Sequence, residues 1–528
     1  MPTESLQTSY DVVVIGGGHN GLIAAAYLSA AGRSVLLLER KSRFGGATTS
    51  QRIFPEFEAW ISRYAYLISL LPPVITDELQ LNFETRRRSI ASFTPYRDSA
   101  GVDKGLLISN VDPQRSRDSV VELSGVDDWK GYQRLLQLES SIARVIWPTL
   151  LEPLKSRQSL KSRLTTPTDF EAWQSFIEQP LGQTMERLVR HDLLRGLLMT
   201  DGKIGVLTHP HDESLIQNRC FLYHVIGNET GEWRVPVGGM RAFTDALVER
   251  CRRNGVTLVQ GADADRVHPA TDLHAVTFRC GDREFCVDAK HVLVNAAPHV
   301  FAQLLNVAAQ PIPTDEGSVM KMNVLLRRLP RLKAKGVTSA DAFTGSFHIA
   351  EGYDQMQRSW QQAVAEEVPD PAPCEIYCHS LTDDSILSPE LRTQGFQTLT
   401  LFGLDMPWRL FAVDHDQRRD LVKQRYLDAL SSLCDEPFED CIAHDSTGRP
   451  CVEIHTPQEL QRDVGLTWGN IFHNSLSWFF TDDEERVGKW GVETAWPRIL
   501  CAGSSAERGG AVSGIPGRNA AMCVLSDN

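Results

Sequence analysis

The chain has 528 residues, of which 42% are hydrophobic and 23% are charged. This length is too great for one simple core and predicts two or three domains, and the composition is that of an ordinary globular protein. The formal net charge of −13 argues against nucleic acid as a partner.

No uninterrupted apolar run approaches the roughly 18 residues that a transmembrane helix needs. The best candidate, residues 65–75, is interrupted by Pro72 and Pro73. The first ten residues are polar and contain no apolar signal core. We therefore expect a cytoplasmic protein without a transmembrane segment, while contact with a membrane surface stays open.

Neither the cysteines nor the histidines form a recognisable ligand set. The 11 cysteines contain no C-x-x-C pair, so we expect buried free thiols and no disulfide-reductase chemistry. His209, His211 and Asp212 are close in sequence, but the proline between the histidines and the lack of a further ligand indicate a loop. We predict no metal site.

The N-terminal region carries the strongest pattern. Residues 11–15 form an apolar run typical of a strand buried on both faces of a parallel sheet. An alanine-rich helix is predicted over 22–31 and a second strand over 34–38, followed by Glu39. Between the first strand and the helix stand the glycines of a G-x-G-x-x-G motif, Gly16, Gly18 and Gly21.

These residues suit a dinucleotide. A helix N-terminus offers unpaired N–H donors and a positive dipole end to a pyrophosphate. Gly16 permits a tight turn, Gly18 lets the backbone approach the phosphates, and Gly21 lets helix and strand pack closely. Glu39 can accept hydrogen bonds from ribose hydroxyls and would repel a 2′-phosphate.

A second glycine pair follows this unit. Residues 43–50 match R-x-G-G-x-x-x-S, which suits a ribityl chain lying against bare backbone. The segment resembles the FAD-binding start of the flavin amine oxidase and phytoene desaturase superfamily. In detail it is most similar to the phytoene dehydrogenase-related branch, which includes proteins named pyridine nucleotide-disulfide oxidoreductase domain-containing protein 2.

The next part of the chain has a different hydrophobic pattern. Helical spacing dominates residues 90–232, with helices predicted over 129–146 and 170–194. The resemblance implies that this insertion supplies walls of the substrate site. The basic run 86–88 is interpreted as a solvated surface rather than a phosphate or headgroup site.

Residues 233–298 carry a second resemblance, the W-x-x-P-x-G-G-M sequence at 233–240, where the superfamily's chain re-enters the FAD domain. A helix is predicted over 241–253, and a hairpin turn at Gly281-Asp282. Strands are predicted over 256–259, 264–267, 274–280, 284–287 and 291–295. The resemblance implies that Val267 contacts the adenine and ribose and that Ala297 closes the nucleotide-binding sheet.

Beyond residue 300 the pattern is weaker. We predict strands over 319–326 and 397–404 and an amphipathic helix over 416–433. Residues 468–473 resemble an element that lies near the flavin ring in the branch. Whether the aromatic residues 478–480 belong to the core or to a substrate cage stays open.

The C-terminal end resembles the glycine-rich terminus of the same branch. A strand over 498–501 precedes the loop and helix of residues 503–521. In relatives this segment holds the ribityl-pyrophosphate and the pyrimidine edge of the flavin. The residues at 504–507 (SSAE) depart from the family pattern. We expect FAD binding to survive this departure and the reactivity with substrate or oxygen to differ from that of relatives.

The predicted fold class is α/β, with a Rossmann-type, glutathione reductase-like FAD-binding domain and an inserted mixed α+β substrate domain, as in amine oxidases and phytoene desaturases. The FAD domain is predicted at residues 1–85, 233–300 and 488–528, and the substrate domain, with its helical insertion, at 86–232 and 301–487. The predicted FAD-binding residues are Gly16, Gly18, His19, Asn20, Gly21, Glu39, Arg40, Gly45, Gly46, Ala47, Thr48, Val267, Ala297, Gly503, Ser504, Gly510, Val512 and Gly514.

The working hypothesis is a two-electron oxidation of a hydrophobic small molecule or secondary metabolite. A hydride passes to flavin N5 and a proton to a base or water, leaving a C=C or C=N bond. Dioxygen or a quinone is the expected acceptor, because no second glycine fingerprint is present for NADPH. Candidate catalytic residues, each also compatible with a structural role, are His224, His473 and Tyr223.

Two alternatives stay open, a flavin amine or amino-acid oxidase and a non-catalytic FAD-binding interaction protein. Ala47 argues against the first, since amine oxidases usually carry arginine after the glycine pair. The oligomeric state is not predicted.

Overall fold

The computed structural model describes residues 6–308 and 316–527. The predicted polar tail 1–5 and the segment 309–315 of the predicted substrate domain lie outside them. The strands are β1 (Ser9–Ile15), β2 (Val35–Glu39), β3 (Ser50–Gln51), β4 (Ile61–Ser62), β5 (Thr85–Arg86), β6 (Ile90–Arg97), β7 (Asp103–Ser109), β8 (Val235–Pro236), β9 (Thr257–Gln260), β10 (Ala262–His268), β11 (His274–Cys280), β12 (Arg283–Val294), β13 (Met320–Leu326), β14 (Ser346–Ile349), β15 (Cys374–Tyr377), β16 (Gln397–Gly403), β17 (Val452–His455) and β18 (Ile499–Cys501).

The helices of the described residues are joined by short 3₁₀ segments and one π-helical turn, Gln174–Glu178. They are α1 (His19–Ala30), α2 (Pro73–Glu78), α3 (Pro113–Ser124), α4 (Val126–Ile146), α5 (Arg157–Lys161), α6 (Pro167–Trp173), α7 (Leu181–Leu188), α8 (Asp192–Met199), α9 (Ile216–Val225), α10 (Met240–Arg253), α11 (Pro298–Leu304), α12 (Ser339–Thr344), α13 (Tyr353–Val364), α14 (Pro389–Thr393), α15 (His415–Ser432), α16 (Pro457–Val464) and α17 (Ile515–Ser526).

The first large sheet has the strand order β10-β11-β12-β1-β2-β9, and β18 pairs with β12. β1 pairs in parallel with β2 and β12, while β10, β11 and the first half of β12 are antiparallel. Alternate residues of β1 enter different cores. Val12 packs with the core of α1, α10 and α17, and Val13 packs in the core on the opposite face of the sheet. This double burial explains the continuous apolar run of β1.

The second large sheet has the order β17-β13-β16-β15-β14-β6-β7. Its pairs are antiparallel except β14 with β6. One face packs in an apolar core through Met322, Phe347, Ile376 and Leu401. The opposite face carries a row of mostly ionisable side chains that stand in register across five strands, namely His348, Glu375, Phe402, Lys321 and His455.

The prediction of helical structure from residue 90 is wrong for β6 and β7, which form a hairpin. Its turn is an Asx turn, in which one carboxylate oxygen of Asp98 accepts hydrogen bonds from the N–H groups of Ala100 and Val102. Pro95 would interrupt a helix, and β6 tolerates it because β14 pairs with β6 only at Ser92 and Phe93.

Two other predicted elements also differ in extent. The helix expected over 170–194 is broken into shorter pieces, because residues 179–180 and 189–191 leave helical geometry. The strands expected over 284–287 and 291–295 are one strand, β12, whose first part pairs with β11 and whose last part pairs with β1 and β18. The predicted turn at Gly281-Asp282 joins β11 to β12.

The cysteines of the described residues are all free. Most are buried as predicted, but Cys286 is exposed and Cys280 and Cys501 are half-buried. Among the described residues, no helix combines the length and apolar character that crossing a membrane requires. The predicted domain boundaries stay a prediction.

Candidate active site

A cavity of about 1220 Å³ lies between the glycine-rich loops of the first sheet and the ionisable face of the second. Pockets for one drug-sized ligand usually measure roughly 300–1,000 Å³. The cavity is therefore large enough for a dinucleotide together with a small second molecule.

Two glycine loops form one end of the cavity. Gly18 and Gly45 pair through an isolated parallel bridge, and the N–H of Gly45 donates to the carbonyl oxygen of Gly17 at 2.8 Å. Gly18 is the N-cap of α1 and provides no side-chain cap, so the first N–H groups of α1 are left for a ligand. Gly46 has φ +58°, and a Cβ there would lie 3.4 Å from Gly18 Cα.

Behind these loops the glycines of the motif pack against Asn295. A Cβ on Gly16 (φ +101°) would collide with the Asn295 carbonyl oxygen, and one on Gly21 would collide with the carbonyl oxygen of Gly16. The Asn295 amide donates to the Gly16 carbonyl oxygen at 3.0 Å. The lack of a side chain at Gly21 thus allows α1 to pack closely against the turn at Gly16. The organising role of Asn295 was missed, although it ends the predicted strand 291–295.

Glu39 lies at the cavity wall, 7% exposed. Its two carboxylate oxygens accept hydrogen bonds from the N–H groups of Gly17 and Lys41, both at 2.8 Å. Each oxygen keeps a lone pair that could accept from a ribose hydroxyl. His19 also faces the cavity with an unpartnered Nε2, and burial lowers its pKa to about 3 with a contribution from His473. These features fit a dinucleotide.

The structure brings most of the predicted cofactor-binding residues to the cavity. Those that line it are Gly16, Gly18, His19, Asn20, Glu39, Arg40, Gly45, Gly46, Ala47, Thr48, Ala297, Ser504 and Val512. Those that lie outside its lining are Gly21, Val267, Gly503, Gly510 and Gly514.

Val267 packs in the core beneath the first sheet, while residues 262–265 reach the cavity instead. The cause is a register shift between Ala264 and Arg266, which reverses the alternation of β10 before Val267.

The C-terminal glycines act as close-packing points behind the cavity. Gly514 is the N-cap of α17 with φ +73°, and a Cβ on Gly517 would collide with the carbonyl oxygen of Asn20 in α1. α17 therefore packs directly on α1. Ser504 Oγ accepts a hydrogen bond from the Asn20 amide at 3.4 Å, which ties the two chain ends together at the cavity.

Two of the three catalytic candidates line the cavity, and Tyr223 does not. The Tyr223 ring packs in the core, 4.6 Å from that of Phe479. Burial lowers the pKa of His473 to about 4, with a smaller effect of His299. Burial also lowers the pKa of His224, against the attraction of Asp201. Both imidazoles are therefore neutral near pH 7 and could accept a proton.

The other end of the cavity holds ionisable groups that the sequence analysis missed. They are Arg88, Glu139, Asp201, Lys321, His348 and Glu375. The interpretation of residues 86–88 as a solvated surface is wrong for Arg88, which is only 7% exposed. The signal available in the sequence was a charged residue inside an otherwise apolar strand, as in MKM at 320–322 and CEI at 374–376.

The carboxyl groups here hold their protons tightly. Burial raises the pKa of Glu139 to about 8, with a contribution from Asp201, and raises that of Glu375 to about 8, with a contribution from Glu351. Burial alone would lower the pKa of His348, but the attraction of Glu351 outweighs it and the pKa is raised. A neutral carboxylic acid donates a hydrogen bond as well as accepting one.

Lys321 lies between Phe402 and His455 in the ionisable row. Its ammonium nitrogen donates to the carbonyl oxygens of Ser62 and Tyr64 and lies 4.2 Å from the centre of the Tyr66 ring. Burial lowers its pKa well below the usual value for lysine. Lys321 thus fixes the segment that carries Tyr64 and Tyr66, both of which line the cavity.

One group in this region has the donor types of a metal site. His348, Glu351 and Glu375 offer ligand atoms within 4.8 Å of one another. His348 Nδ1 is already bonded to Glu351 Oε2 at 2.6 Å, which makes an ion pair the simplest description. The predicted loop at 209–212 is confirmed, and His211 Nε2 lies 2.8 Å from Glu186.

Comparison with known proteins gives close relatives over the whole chain. An uncharacterised protein of Mycobacterium tuberculosis is 41% identical over 98% of this chain and 97% of its own length. The chain belongs to the family of this mycobacterial protein. It is also homologous to pyridine nucleotide-disulfide oxidoreductase domain-containing protein 2 of Rattus norvegicus, at 27% identity over 99% of this chain and 94% of that protein.

Other comparisons support the fold of this family. A family model described as an NAD(P)-binding Rossmann-like domain matches residues 14–73. Cyclohexylamine oxidase from Brevibacterium oxydans has a TM-score of 0.57 at 14% identity, covering 98% of this chain and 99% of that chain. The predicted fold class and the predicted relationship are confirmed. The chain therefore shares the fold of this amine oxidase over nearly its whole length.

Proposed function

We propose that the protein is an FAD-dependent oxidoreductase that removes two electrons from a small molecule by desaturation or dehydrogenation. The observation that supports this most is the continuity of one cavity from the two glycine loops to the ionisable face of the second sheet. Bound FAD would supply the hydride acceptor, with dioxygen or a quinone as the final acceptor.

The chain's own residues have separate tasks in this proposal. The N-terminus of α1 and the backbone of Gly18 and Gly46 bind the pyrophosphate, and Glu39 orients a ribose. His473 and His224 line the cavity in neutral form, so either can take the proton that the substrate loses.

The cavity walls suggest a substrate with two ends. Apolar side chains that would contact a hydrophobic body and exclude water are Leu197, Leu198, Ile204, Phe221, Ile471 and Phe472. The guanidinium of Arg88 and the carboxyl group of Glu375 would face a polar group on the same molecule. We therefore propose an amphiphilic substrate rather than a purely hydrophobic one. The cytoplasmic location stays a prediction.

A second candidate is the oxidation of an amine or amino acid. The carboxyl groups of Glu139, Asp201 and Glu375 in the cavity favour it, because their oxygens could accept hydrogen bonds from an ammonium group. Release of hydrogen peroxide on addition of amines would select this reaction.

Anaerobic reduction of the purified protein tests the proposal. Polyenes, terpenoids, amines, amino acids and amphiphilic carboxylic acids are added in turn, and the visible absorbance of the oxidised flavin is followed. Bleaching by a member of this panel supports the oxidoreductase. A bound flavin that dithionite reduces and no donor reduces would favour the non-catalytic alternative.

A further inference from the structure

We propose that Arg88 binds a carboxylate group of the substrate, so that the enzyme acts on an organic acid with an apolar body. This inference rests on the proposed function, because it names the substrate class of the same cavity.

Arg88 is a buried cation in the wall of the cavity. It is 7% exposed and lines the cavity. Among the described residues, its one side-chain hydrogen bond joins Nη1 to Ser346 Oγ at 3.3 Å, and Nε has no partner. Within residues 6–308 and 316–527 no carboxylate forms an ion pair with its guanidinium. A buried unpaired charge is unfavourable unless a ligand supplies the opposite charge and accepts its hydrogen bonds.

Other buried or neighbouring cations in this fold have their partners. The Nη atoms of Arg508 donate to the carbonyl oxygens of Thr149, Glu152 and Trp490. Arg87, next to Arg88, forms an ion pair with Glu232 at 2.9 Å. Arg88 differs from Arg508 because it lines the cavity, and from Arg87 because it is buried and forms no ion pair with the described residues.

The backbone holds Arg88 in this place. The Asn110 amide donates to the carbonyl oxygen of Arg88 at 3.0 Å, and the guanidinium lies 5.6 Å from the centre of the Tyr377 ring. The Ser346 that contacts it stands opposite Ser92 in β6. Arg88 is thus positioned by neighbours that carry no charge of their own near neutral pH.

The groups beside Arg88 suit a carboxylate. Ser346 and His348 are two residues apart on β14 and so share one face, and Nε2 of His348 has no partner. The raised pKa of His348 makes this nitrogen a donor, and Glu375 is protonated below about pH 8. A carboxylate would therefore meet donors on several sides.

The charge of the site distinguishes a carboxylate from a phosphate. The planar guanidinium fork matches either anion. One arginine near several carboxyl groups balances a single negative charge, whereas a phosphate dianion would leave excess negative charge beside Glu139 and Asp201. We therefore assign a monoanion.

The test measures binding of three probes of matched shape to the FAD-loaded protein by calorimetry. These are benzoate, the neutral benzamide and the cationic benzylamine. We expect benzoate to bind roughly ten- to hundredfold more tightly than benzamide, the range that a hydrogen-bonded charge pair gives. Equal binding of the two, or preference for benzylamine, would overturn the proposal.

Variants assign the preference to one residue. Arg88→Met should abolish it, Arg88→Lys should keep part of it, and Arg97→Gln, an exposed arginine paired with Asp103, should leave it unchanged. Retention of the full preference in Arg88→Met would contradict the assignment. If Arg88→Met does not fold, the proposal is tested by two results, the preference of the wild type for benzoate over benzamide and the partial loss of that preference in Arg88→Lys. The FAD content of each sample is measured before the titration, so failure of FAD binding is distinguished from failure of benzoate binding.

Discussion

His348 and Glu375 stand opposite each other in the antiparallel pair of β14 and β15, with His348 Nδ1 3.9 Å from Glu375 Oε1. Both side chains are buried and line the cavity, and His348 is bonded more closely to Glu351 at 2.6 Å. Two carboxyl groups share one imidazole, so one of them keeps its proton. This relationship makes the stability of the protein depend on pH.

Replacement of Glu375 by glutamine should flatten that dependence. The pKa of Glu375 is raised from 4.5 to about 8 on folding, so the folded state binds the proton more tightly. The free energy of unfolding therefore falls as the pH rises from about 4.5 to 8. We expect Glu375→Gln to remove on the order of 1–3 kcal/mol of this loss.

Chemical denaturation at pH 5 and pH 8 measures the effect. The difference between the two pH values should be smaller in Glu375→Gln than in the wild type. An unchanged difference would show that Glu375 does not titrate with a raised pKa.

Gly18→Ala should weaken FAD binding with little loss of stability. Gly18 has φ −70°, and an added methyl group would contact only the Asn295 amide, at 3.0 Å. The methyl group would also reduce the space for a ligand at this part of the cavity wall. We expect roughly tenfold weaker FAD binding. Titration of apoprotein with FAD gives the dissociation constant.

Gly32→Ala is the matched control. Gly32 has φ +80° and lies away from the cavity, so alanine there should cost about 1 kcal/mol in stability and leave FAD binding unchanged. Equal FAD affinity in both variants would contradict the role assigned to Gly18.

His473→Asn should slow the reduction of the flavin by a substrate. His473 lines the cavity in neutral form, and loss of a general base commonly lowers a rate by about 10²-fold or more. Tyr223→Phe is the contrast, since Tyr223 lies outside the cavity lining. Stopped-flow absorbance measures both rates. Equal rates in the two variants would remove His473 from the mechanism.

Breaking the buried ion pair of Lys203 and Asp405 should strongly destabilise the fold. The two charged atoms are 3.0 Å apart and both side chains are fully buried. Lys203→Met leaves an unpaired buried carboxylate and should cost about 3–5 kcal/mol, whereas adding Asp405→Asn should recover part of the loss. Denaturation of the two single variants and the double variant measures the coupling. Additive losses would contradict a direct interaction.

The first nucleotide-binding unit could be predicted because its signals are local. The apolar run of β1, the glycines from Gly16 to Gly21 and the helix α1 follow one another without a gap. The burial of the Val267 side chain could not be predicted, because a shift in strand register at residues 264–266 is set by pairing with β11 and leaves no mark in the sequence.

The sequence marks the charged residues of β13 and β15, but it does not place them at a cavity. In β14 and β15 polar residues alternate with apolar ones, as at His348 and Glu375, and such alternation normally indicates a face in water. Only the arrangement of distant elements shows that this face borders an internal cavity. The sequence likewise does not distinguish Arg88 from Arg86 and Arg87, which precede it directly and are exposed.

The cofactor content of the purified protein tests the proposed FAD binding most directly. The protein is denatured, and the released compound is identified by chromatography and mass and counted against the chain. We predict FAD at about one molecule per chain, either as isolated or after incubation with FAD. A colourless protein that cannot take up added FAD would contradict the account.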